Sequence, residues 1–385
     1  MENIKTKPLN AIAEITGLQL AAVLWLFTFL KVEAWPLLTA LFLIPITFFL
    51  ISNRNPRFSE RLVKSFRDFP RVAIAILVLV VVFFPFLIGD DTYILHLLII
   101  ALLYSVLALA LNFQLGSANI PNFATGASYG IGAYVSALLA IHFGVNFWYG
   151  LIASAAVATF FGFLLGIPCM RTRESYLALV TIAFGIIIHQ LLNNFEWTGG
   201  ANGLGGMPAP SIFGHSFDDE ITIFGFTLPS QVNWYYISGL LVVLSVITAA
   251  RLHNSRVGLA WNALRNDELA ARCMGINVTR YKVLAFMVDA FLSAFAGTVY
   301  AFYVNYISPD NFTFLVSVTI MTMVIVGGMD NIFGVVVGTL LLTILPEKFR
   351  MFSDYRLLIY GLIVISMLIF RPQGLFPKQL RKHRG

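Results

Sequence analysis

Charged residues are scarce in this chain. Asp, Glu, Lys and Arg make up 11% of its 385 residues, whereas apolar residues make up 58%. A globular domain in water has about a quarter of its residues charged. The shortage of charge excludes a water-soluble protein, because lipid must take the place of water over most of the surface. The chain is therefore expected to lie in a lipid bilayer.

Sequence motifs for chemistry are also missing. The two cysteines, Cys169 and Cys273, lack the spacing of a metal site or of a disulfide framework. The chain has no Gly-x4-Gly-Lys-Ser/Thr sequence for ATP phosphates, no cofactor motif, and no nucleophile, metalloprotease or paired-carboxylate pattern. We therefore expect no enzyme and no cofactor. The net charge of +6 does not indicate nucleic acid, because the basic residues lie in short gaps between apolar runs.

Apolar runs fill most of the sequence, and a spanning helix needs about 20 mostly apolar residues. The clear runs are 15–30, 35–51, 72–88, 94–112, 147–167, 176–192, 234–250, 284–304 and 355–370. Three weaker runs, 123–142, 313–328 and 332–346, fit either full spans or half-helices covered by protein. The sequence thus predicts an all-α, polytopic transmembrane bundle of 10–12 spans.

The basic residues predict the orientation of the bundle. With twelve crossings, 21 of the 25 Lys and Arg residues fall on one side, which the positive-inside rule assigns to the cytoplasm. Both termini are then cytoplasmic, the first span is uncleaved, and residues 193–233 lie outside.

Three Gly-x3-Gly pairs place two glycines on one helix face: Gly126/Gly130, Gly162/Gly166 and Gly334/Gly338. Small residues allow helices to approach closely in lipid. These faces fit helix–helix contacts, and the alternative is that some of them line a path for a small solute.

The most informative polar segment is 251–283. Asn266 suits an N-cap, Asp267 and Glu268 suit the positive start of a helix, and Gly275 suits a left-handed end. The pattern predicts a cytoplasmic helix of about two turns, ~12 Å long. Such a helix is either a docking element for another protein or an amphipathic connector on lipid headgroups.

A family resemblance begins in this segment. Glu268, Ala270, Ala271 and Gly275 resemble the Glu-Ala-Ala-x3-Gly signature of the coupling helix in permeases of ATP-binding cassette (ABC) importers, with Leu269 as one extra residue. The longer stretch SRVGLAWNALRNDELAARCMGINVTRYKVLAF (255–286) looks like the corresponding loop of the LivM-type branched-chain amino acid permeases.

Other stretches are similar to the same family in the expected order. They are RTRESYLALVTIAFGIII (171–188), TGGANGLGGMPAP (198–210), SPDNFTFLVSVTIMTMVIVGGMDNIFG (308–334), LPEKFR and RPQGLFP. The resemblance covers about residues 94–377. Two places depart from it. Residues 116–134 fit the family only loosely, and their Asn-x-Pro-Asn-Phe-Ala piece (119–124) looks more like the sister LivH-type subunit. Met329, Asp330 and Asn331 stand where the family usually has small residues.

The resemblance implies the membrane-spanning subunit of an ABC importer for Leu, Ile and Val in the prokaryotic plasma (inner) membrane. It implies as partners two ATPase subunits that bind the ATP, a second, LivH-like permease in a heterodimer, and an external substrate-binding protein. Residues 1–90 are then extra spans of unassigned role, 91–377 are the permease core, and 378–385 are a basic cytoplasmic tail. The core includes the external loop 193–233 and the coupling loop 251–283.

The resemblance also implies two sets of site residues. The ATPase-coupling set is Arg265, Glu268, Ala270, Ala271 and Gly275. The set for docking the binding protein is Thr198, Gly199, Gly200, Asn202 and Gly203, with the glycines as hinges. The alternative for the second set is a flexible connector without a partner.

Asp289 is the candidate polar site within a span, because a carboxylate there must face protein or water. It fits either a proton or solute contact, or an interhelical hydrogen bond about 8 Å from the cytoplasmic end. His96 and His189 stand alone in apolar runs and fit packing residues better than ligands.

Two other functions stay open at this point. One is a permease of the same class for urea, short amides or aromatic acids, since an apolar path suits several small solutes. The other is an ion-coupled secondary transporter, which would need a chain of buried acids or broken helices around an ion; Asp289 is a single candidate for such a chain.

Overall fold

The computed structural model describes residues 8–32, 81–89, 91–169, 174–212, 214–223, 226–348 and 374–376, with isolated positions at 37, 79, 358, 361–362, 364–366 and 369. The chain is a polytopic α-helical membrane protein. Among the described residues, seven helices are long and apolar enough to cross a bilayer, and the strands are short pairs. The chain divides into two compact units, residues 1–95 and 96–385.

The N-terminal unit begins with helix α1, Pro8–Lys31, which covers the predicted span 15–30. Residues 81–88 are helical within the predicted run 72–88. The predicted runs 35–51 and 355–370 and the tail 378–385 lie outside the described residues, apart from isolated helical positions. The span count and the side on which the termini lie therefore stay predictions.

The second unit contains the remaining helices, and α2 runs into it from the first. The long helices form where apolar residues continue for about four turns or more, and the three weaker runs of the sequence are helical as well. Helices α7 and α8 are shorter and lie in the polar segment 251–283. Their bounds are α2 Thr92–Asn112, α3 Thr125–Phe143, α4 Phe147–Cys169, α5 Glu174–Asn194, α6 Gln231–His253, α7 Arg256–Asn266, α8 Glu268–Cys273, α9 Val278–Val304, α10 Phe314–Gly327 and α11 Ile332–Lys348.

Helix α9 is the central helix and packs against α3 and α4. Small residues bring the backbones together: a methyl group added at Gly132 would collide with Ala294, and one added at Gly297 would collide with the Tyr129 carbonyl. The hydroxyls of Ser154 and Thr298 form a buried 2.7 Å hydrogen bond between α4 and α9. Close packing of small residues replaces the hydrophobic effect between helices in lipid.

The three Gly-x3-Gly faces all meet protein. Gly162 and Gly166 of α4 lie against α9, at Phe286, Ala290 and Val283. The others make similar contacts: Gly126 with Ser317, Gly130 with Phe312, and both Gly334 and Gly338 with Gly327. The helix-contact interpretation therefore holds for all three pairs.

The connection between α2 and α3 interrupts the helical path. It consists of a π-helical turn, Phe113–Ser117, and a non-helical run, 118–124. Asn119 has a φ of +55°, and Pro121 lacks an N–H, so neither residue suits a continuing helix. We call residues 113–124 the interrupted segment. π-Helical turns inside helices are frequent at functional sites.

Short antiparallel pairs order the loop that follows α5. β1 (Leu204–Gly205) pairs with β6 (Tyr306–Ile307), which follows α9. β2 (Ser211–Ile212) pairs with β3 (His215–Ser216), and β4 (Ile221–Ile223) pairs with β5 (Phe226–Leu228). The β1–β6 pair joins the loop to the end of the central helix.

Candidate functional site

The predicted coupling segment contains two short helices, α7 and α8. The N-cap of α8 is Asp267, whose side chain accepts hydrogen bonds from Leu269 N at 2.8 Å and Ala270 N at 3.0 Å. The predicted cap, Asn266, is wrong: it is the last residue of α7, and Asp267 has the extended backbone that a cap needs. The helix therefore has six residues, Glu268–Cys273, rather than eight.

The end of α8 follows the sequence more closely. Gly275 has a φ of +82°, the left-handed conformation predicted for it. Ile276 N donates to Ala271 O at 3.1 Å, which closes the last turn of the helix. Ala271 is buried, whereas Ala270 is exposed. The predicted coupling residues of α8 thus divide between an inner and an outer face.

Glu268 fastens α8 to the central helix. Its Oε2 accepts from Lys282 Nζ of α9 at 2.7 Å, and its Oε1 lies 3.3 Å from Nη2 of Arg272. The Lys282 side chain is 9% exposed and that of Arg272 is 62% exposed. The Lys282 pair is therefore the shielded one, and it fixes the position of α8 against α9.

Three large apolar side chains of the two helices and their ends are exposed. Leu259 is 67% exposed, Leu269 is 71% exposed and Met274 is 83% exposed. We call these three residues, with Ala270, the α7–α8 surface. Burying a side chain of this size contributes about 1.5–3 kcal/mol. Such a surface suits contact with another protein or with lipid headgroups.

Arg265 does not lie on the α7–α8 surface. Its Nη1 donates to the Gly116 carbonyl at 2.7 Å and lies 3.3 Å from Asp330 Oδ2. Asp330 stands in the turn between α10 and α11, and its side chain is 2% exposed. Arg265 therefore points into the helical bundle, where it meets the interrupted segment.

Several further groups surround Asp330. Ser117 Oγ donates to its Oδ1 at 2.7 Å, and its backbone N donates to Asn112 Oδ1 at 2.8 Å. His253 Nδ1, at the end of α6, lies 3.6 Å from the same carboxylate. We call Asn112, Gly116, Ser117, His253, Arg265 and Asp330 the Asp330 cluster. It joins α2, α6, α7 and the α10–α11 turn.

The predicted docking residues of the external loop lie in hydrogen-bonded turns. Thr198 Oγ1 donates to Leu192 O at 2.7 Å, and Asn202 O accepts from the Tyr306 hydroxyl at 2.9 Å. Gly199, Gly200 and Gly203 have φ values of +78°, +55° and +70°. These glycines are therefore required by turn conformation, and the structure gives them fixed hydrogen-bonded surroundings rather than those of open hinges.

Exposed groups of two kinds border these turns. Trp197 is 57% exposed and stacks on His142 with ring centroids 5.4 Å apart, and Tyr306 is 50% exposed. Asp218, Asp219 and Glu220 are exposed on the far half of the loop. This end of the molecule thus presents aromatic and acidic side chains.

Asp289 is buried, with 1% of its surface exposed. Its Oδ2 accepts from Asn122 Nδ2 at 2.9 Å and from Thr125 Oγ1 at 3.2 Å. Asp289 lies 11 residues, or about 16 Å along the helix, after Val278, the first residue of α9, and its depth in the bilayer stays a prediction. The interhelical hydrogen-bond interpretation describes its contacts, which join α9 to the interrupted segment and to the start of α3.

The two isolated histidines make packing contacts. His96 Nδ1 lies 2.7 Å from the Tyr303 hydroxyl, and the two rings stack at 5.5 Å. His189 Nε2 lies 3.6 Å from Asp310 Oδ1, and the Asp310 side chain is 88% exposed.

Sequence reasoning missed helix α7, Lys282 and the role of Asn122. Ser255 was a usable signal for α7, because its hydroxyl accepts from Val257 N and Gly258 N as a helix cap. Asp330 was noted only as an unusual residue after Gly-Gly. Its contacts with residues more than 200 positions away carry no local signal in the sequence.

Comparisons with known proteins agree on one family. The profile of the family described as "Branched-chain amino acid transport system / permease component" matches residues 93–370. The chain is 38% identical over 317 residues to the high-affinity branched-chain amino acid transport permease LivM of Escherichia coli, covering 79% of this chain and 74% of that protein.

Two more distant relatives extend the comparison. A probable LivM permease of Methanocaldococcus jannaschii is 24% identical over 72% of this chain and 91% of its own. The LivH permease of Escherichia coli is 24% identical over 71% of this chain and 90% of its own. No solved structure matches the chain.

Proposed function

Because this chain belongs to the LivM-type family of branched-chain amino acid transport permeases, we propose that it is the membrane-spanning subunit of an ABC importer for Leu, Ile and Val. Two separate ATPase subunits bind and hydrolyse the ATP, and a LivH-like permease completes a heterodimer. An external binding protein delivers the solute. The location is the prokaryotic plasma (inner) membrane.

The α7–α8 surface is the observation that carries the proposal. A six-residue helix, capped at both ends and fastened to the central helix by Glu268 and Lys282, presents Leu269 and Met274 outward. A connector without a partner does not need such fixed placement. An ATPase that closes on ATP would move α8 as a rigid piece, and this movement would reach the spans through α9.

The solute is supported by the family and by the composition of the core. The relatives are named as branched-chain amino acid transport permeases. The described spans have few ionisable residues, and buried Asp289 is satisfied by its own neighbours. The buried interior of the described helices is mostly apolar with scattered hydroxyls, a composition that suits a small zwitterion with an apolar tail.

Uptake in reconstituted vesicles tests the proposal. The chain is co-reconstituted with its ATPase subunits, the second permease and the binding protein, and labelled leucine and urea are supplied in parallel. We expect ATP-dependent uptake of leucine. Uptake of urea alone would transfer the chain to a urea permease, and uptake by the chain alone on a proton or sodium gradient would make it a secondary transporter.

Two substitutions test the coupling helix within the same assay. Glu268→Arg places a cation opposite Lys282, and Gly275→Pro cannot adopt the left-handed φ that ends α8. Both variants are expected to insert in the membrane but to lose uptake. Normal uptake by both would remove α8 from the coupling mechanism.

A further inference from the structure

We propose that Asp330 and Arg265 are positioning residues that tie α7 to the interrupted segment, so that movement of the α7–α8 pair reaches Asn122 and Asp289. The inference rests on the proposed function, because it concerns how ATP-driven movement enters the spans. Asp330 and Arg265 act by holding one end of a segment whose other end is held by a second buried aspartate.

The lower end of the interrupted segment is bound by side chains from other elements. Arg265 binds the Gly116 carbonyl at 2.7 Å, and Asp330 accepts from Ser117 at 2.7 Å. Arg265 and Asp330 also pair with each other at 3.3 Å. Any displacement of the C-terminal end of α7 therefore pulls on two adjacent residues of the π-helical turn.

The upper end of the segment is bound in the same manner. Asn122 donates to Asp289 at 2.9 Å, and Phe123 N donates to Thr181 Oγ1 of α5 at 3.1 Å. Thr125, the first residue of α3, also donates to Asp289. A shift of the segment would thus displace the side chains bound to it at the start of α3 and in the middle of α9.

The interrupted segment has little regular structure of its own to resist such a shift. Ala118 N and Ile120 N both donate to the Gln114 carbonyl, in place of a continuing helical ladder. The side-chain amide of Gln114 is fully buried, and no described protein group pairs with it. An unpaired buried polar group costs about 1–3 kcal/mol, so a shift of the segment that pairs this amide would recover that free energy.

The local geometry shows that the Asp330 cluster is closely fitted. Asp330 has a φ of +66°, which is uncommon for a residue other than glycine. A methyl group at Gly116 would collide with Asn112 Oδ1 and Asp330 N. Backbone strain of this kind persists where the surroundings hold it, and it clusters at switch regions.

Coupled transport and ATP hydrolysis, measured in the same vesicles, test the proposal. Asp330→Asn keeps the shape and removes the charge, and Arg265→Met keeps much of the side-chain length and removes the charge. Each is expected to lower leucine transported per ATP hydrolysed by about tenfold, the usual size of a coupling between sites. The double variant should be no worse than the poorer single variant, because both residues form one link.

Two further variants calibrate that measurement. Arg256→Met makes the same substitution at an exposed position of the same helix and should change the ratio by less than about twofold. Arg265→Lys keeps the charge but has a single ammonium group for two partners, so it should retain an intermediate ratio. A loss in Arg256→Met equal to that in Arg265→Met would overturn the assignment.

Hydrogen exchange of the complete chain in lipid nanodiscs gives a readout independent of transport. In Asp330→Asn and Arg265→Met, peptides within 113–124 should exchange about fivefold faster or more, whereas peptides of α4 should be unchanged. If vesicles with the wild-type protein take up no leucine, the proposed function fails. Hydrogen exchange alone then tests whether Asp330 and Arg265 hold the interrupted segment. The proposal is contradicted if the variants leave exchange in 113–124 unchanged. It is also contradicted if they transport as much leucine per ATP as a wild-type protein that is active in the same assay.

Discussion

The two ends of the permease core are held together by different interactions. Around α7 and α8, charged side chains hold the short helices to the spans, through the Glu268–Lys282 pair and the Asp330 cluster. At the end that contains the β1–β6 pair, backbone strands and left-handed glycines set the shape. Long charged side chains reorient while they stay paired, whereas strand pairing fixes one geometry. The first end suits the transmission of movement, and the second suits the presentation of a constant surface.

This difference agrees with the two partners proposed. An ATPase that cycles between open and closed states needs a contact that moves as a unit with the spans. A binding protein that docks repeatedly needs the same surface on each encounter. Substitutions that remove the interactions specific to one end should therefore affect that end alone, and their expected effects differ in size.

Gly203→Ala should have the largest effect. Gly203 has φ +70° and ψ −168°, a conformation almost confined to glycine, and an added methyl group would collide with the Ile307 carbonyl. We expect a loss of about 3 kcal/mol in stability of the β1–β6 region from strain and collision together. Limited proteolysis of the loop and binding-protein-dependent uptake measure it.

Gly206→Ala is the matched control for that substitution. Gly206 also has a positive φ, +79°, but no atom lies within 4 Å of the position of its added methyl group. It should therefore show only the strain of about 1–2 kcal/mol expected for a left-handed residue. Equal effects at Gly203 and Gly206 would show that the close approach to Ile307 contributes nothing.

Substitutions in the ion pairs around α8 should have the next largest effect. The two ion pairs of Glu268 should differ in their coupling free energy. Lys282→Met leaves Glu268 without its 2.7 Å partner on α9, whereas Arg272→Met removes a 3.3 Å partner that is 62% exposed. Double-mutant cycles with Glu268→Gln should give a coupling of about 1–3 kcal/mol for Lys282, since hydrogen bonds to charged groups are of this size. For Arg272 about 0.3–0.5 kcal/mol is expected.

Ionic strength checks the same pair of interactions. Raising salt should weaken the exposed Arg272 contact and leave the shielded Lys282 contact nearly unchanged. A salt-sensitive coupling at Lys282 would mean that this pair is open to solvent and does not fasten α8.

Some of these features could be predicted from the sequence, and others could not. The helical spans of the second unit were predictable, because long apolar runs permit little else in lipid. Gly275 was predictable because a left-handed helix end selects glycine. The cap of α8 was misplaced by one residue, since Asn266 and Asp267 are both good caps and the preceding helix α7 decides between them.

The contacts between distant residues were beyond the reach of the sequence. Arg265 was predicted as an ATPase-coupling residue from the family resemblance, and the sequence did not show that its guanidinium contacts Gly116 and Asp330. The predicted span begins at Leu284, whereas α9 begins at Val278 after its cap Asn277, a local signal that sequence reasoning did not use. The contacts of Arg265 arise from the packing of distant segments, which chain spacing does not encode.

The α7–α8 surface should show a smaller effect, seen in association rather than in stability. Leu269→Ser and Met274→Ser remove apolar groups that are 71% and 83% exposed, so the folded permease loses little. Each should weaken binding of the ATPase about tenfold, which corresponds to the burial of a modest apolar area. Cys273→Ser, at an exposed neighbour, is the control. Unchanged association in both serine variants would contradict docking at this surface.

Tyr306→Phe should have a smaller effect than the glycine substitutions at the same end, and it tests the comparison from that end. The substitution removes the hydroxyl that donates to Asn202 O at 2.9 Å but keeps the ring and the β1–β6 pairing. Because the side chain is 50% exposed, water can replace the lost partner, and we expect about 0.5–1 kcal/mol in loop stability. Uptake at saturating binding protein should be unchanged. A loss as large as that of Gly203→Ala would mean that a side chain, rather than the backbone, holds this end, and the contrast with the charged end would disappear.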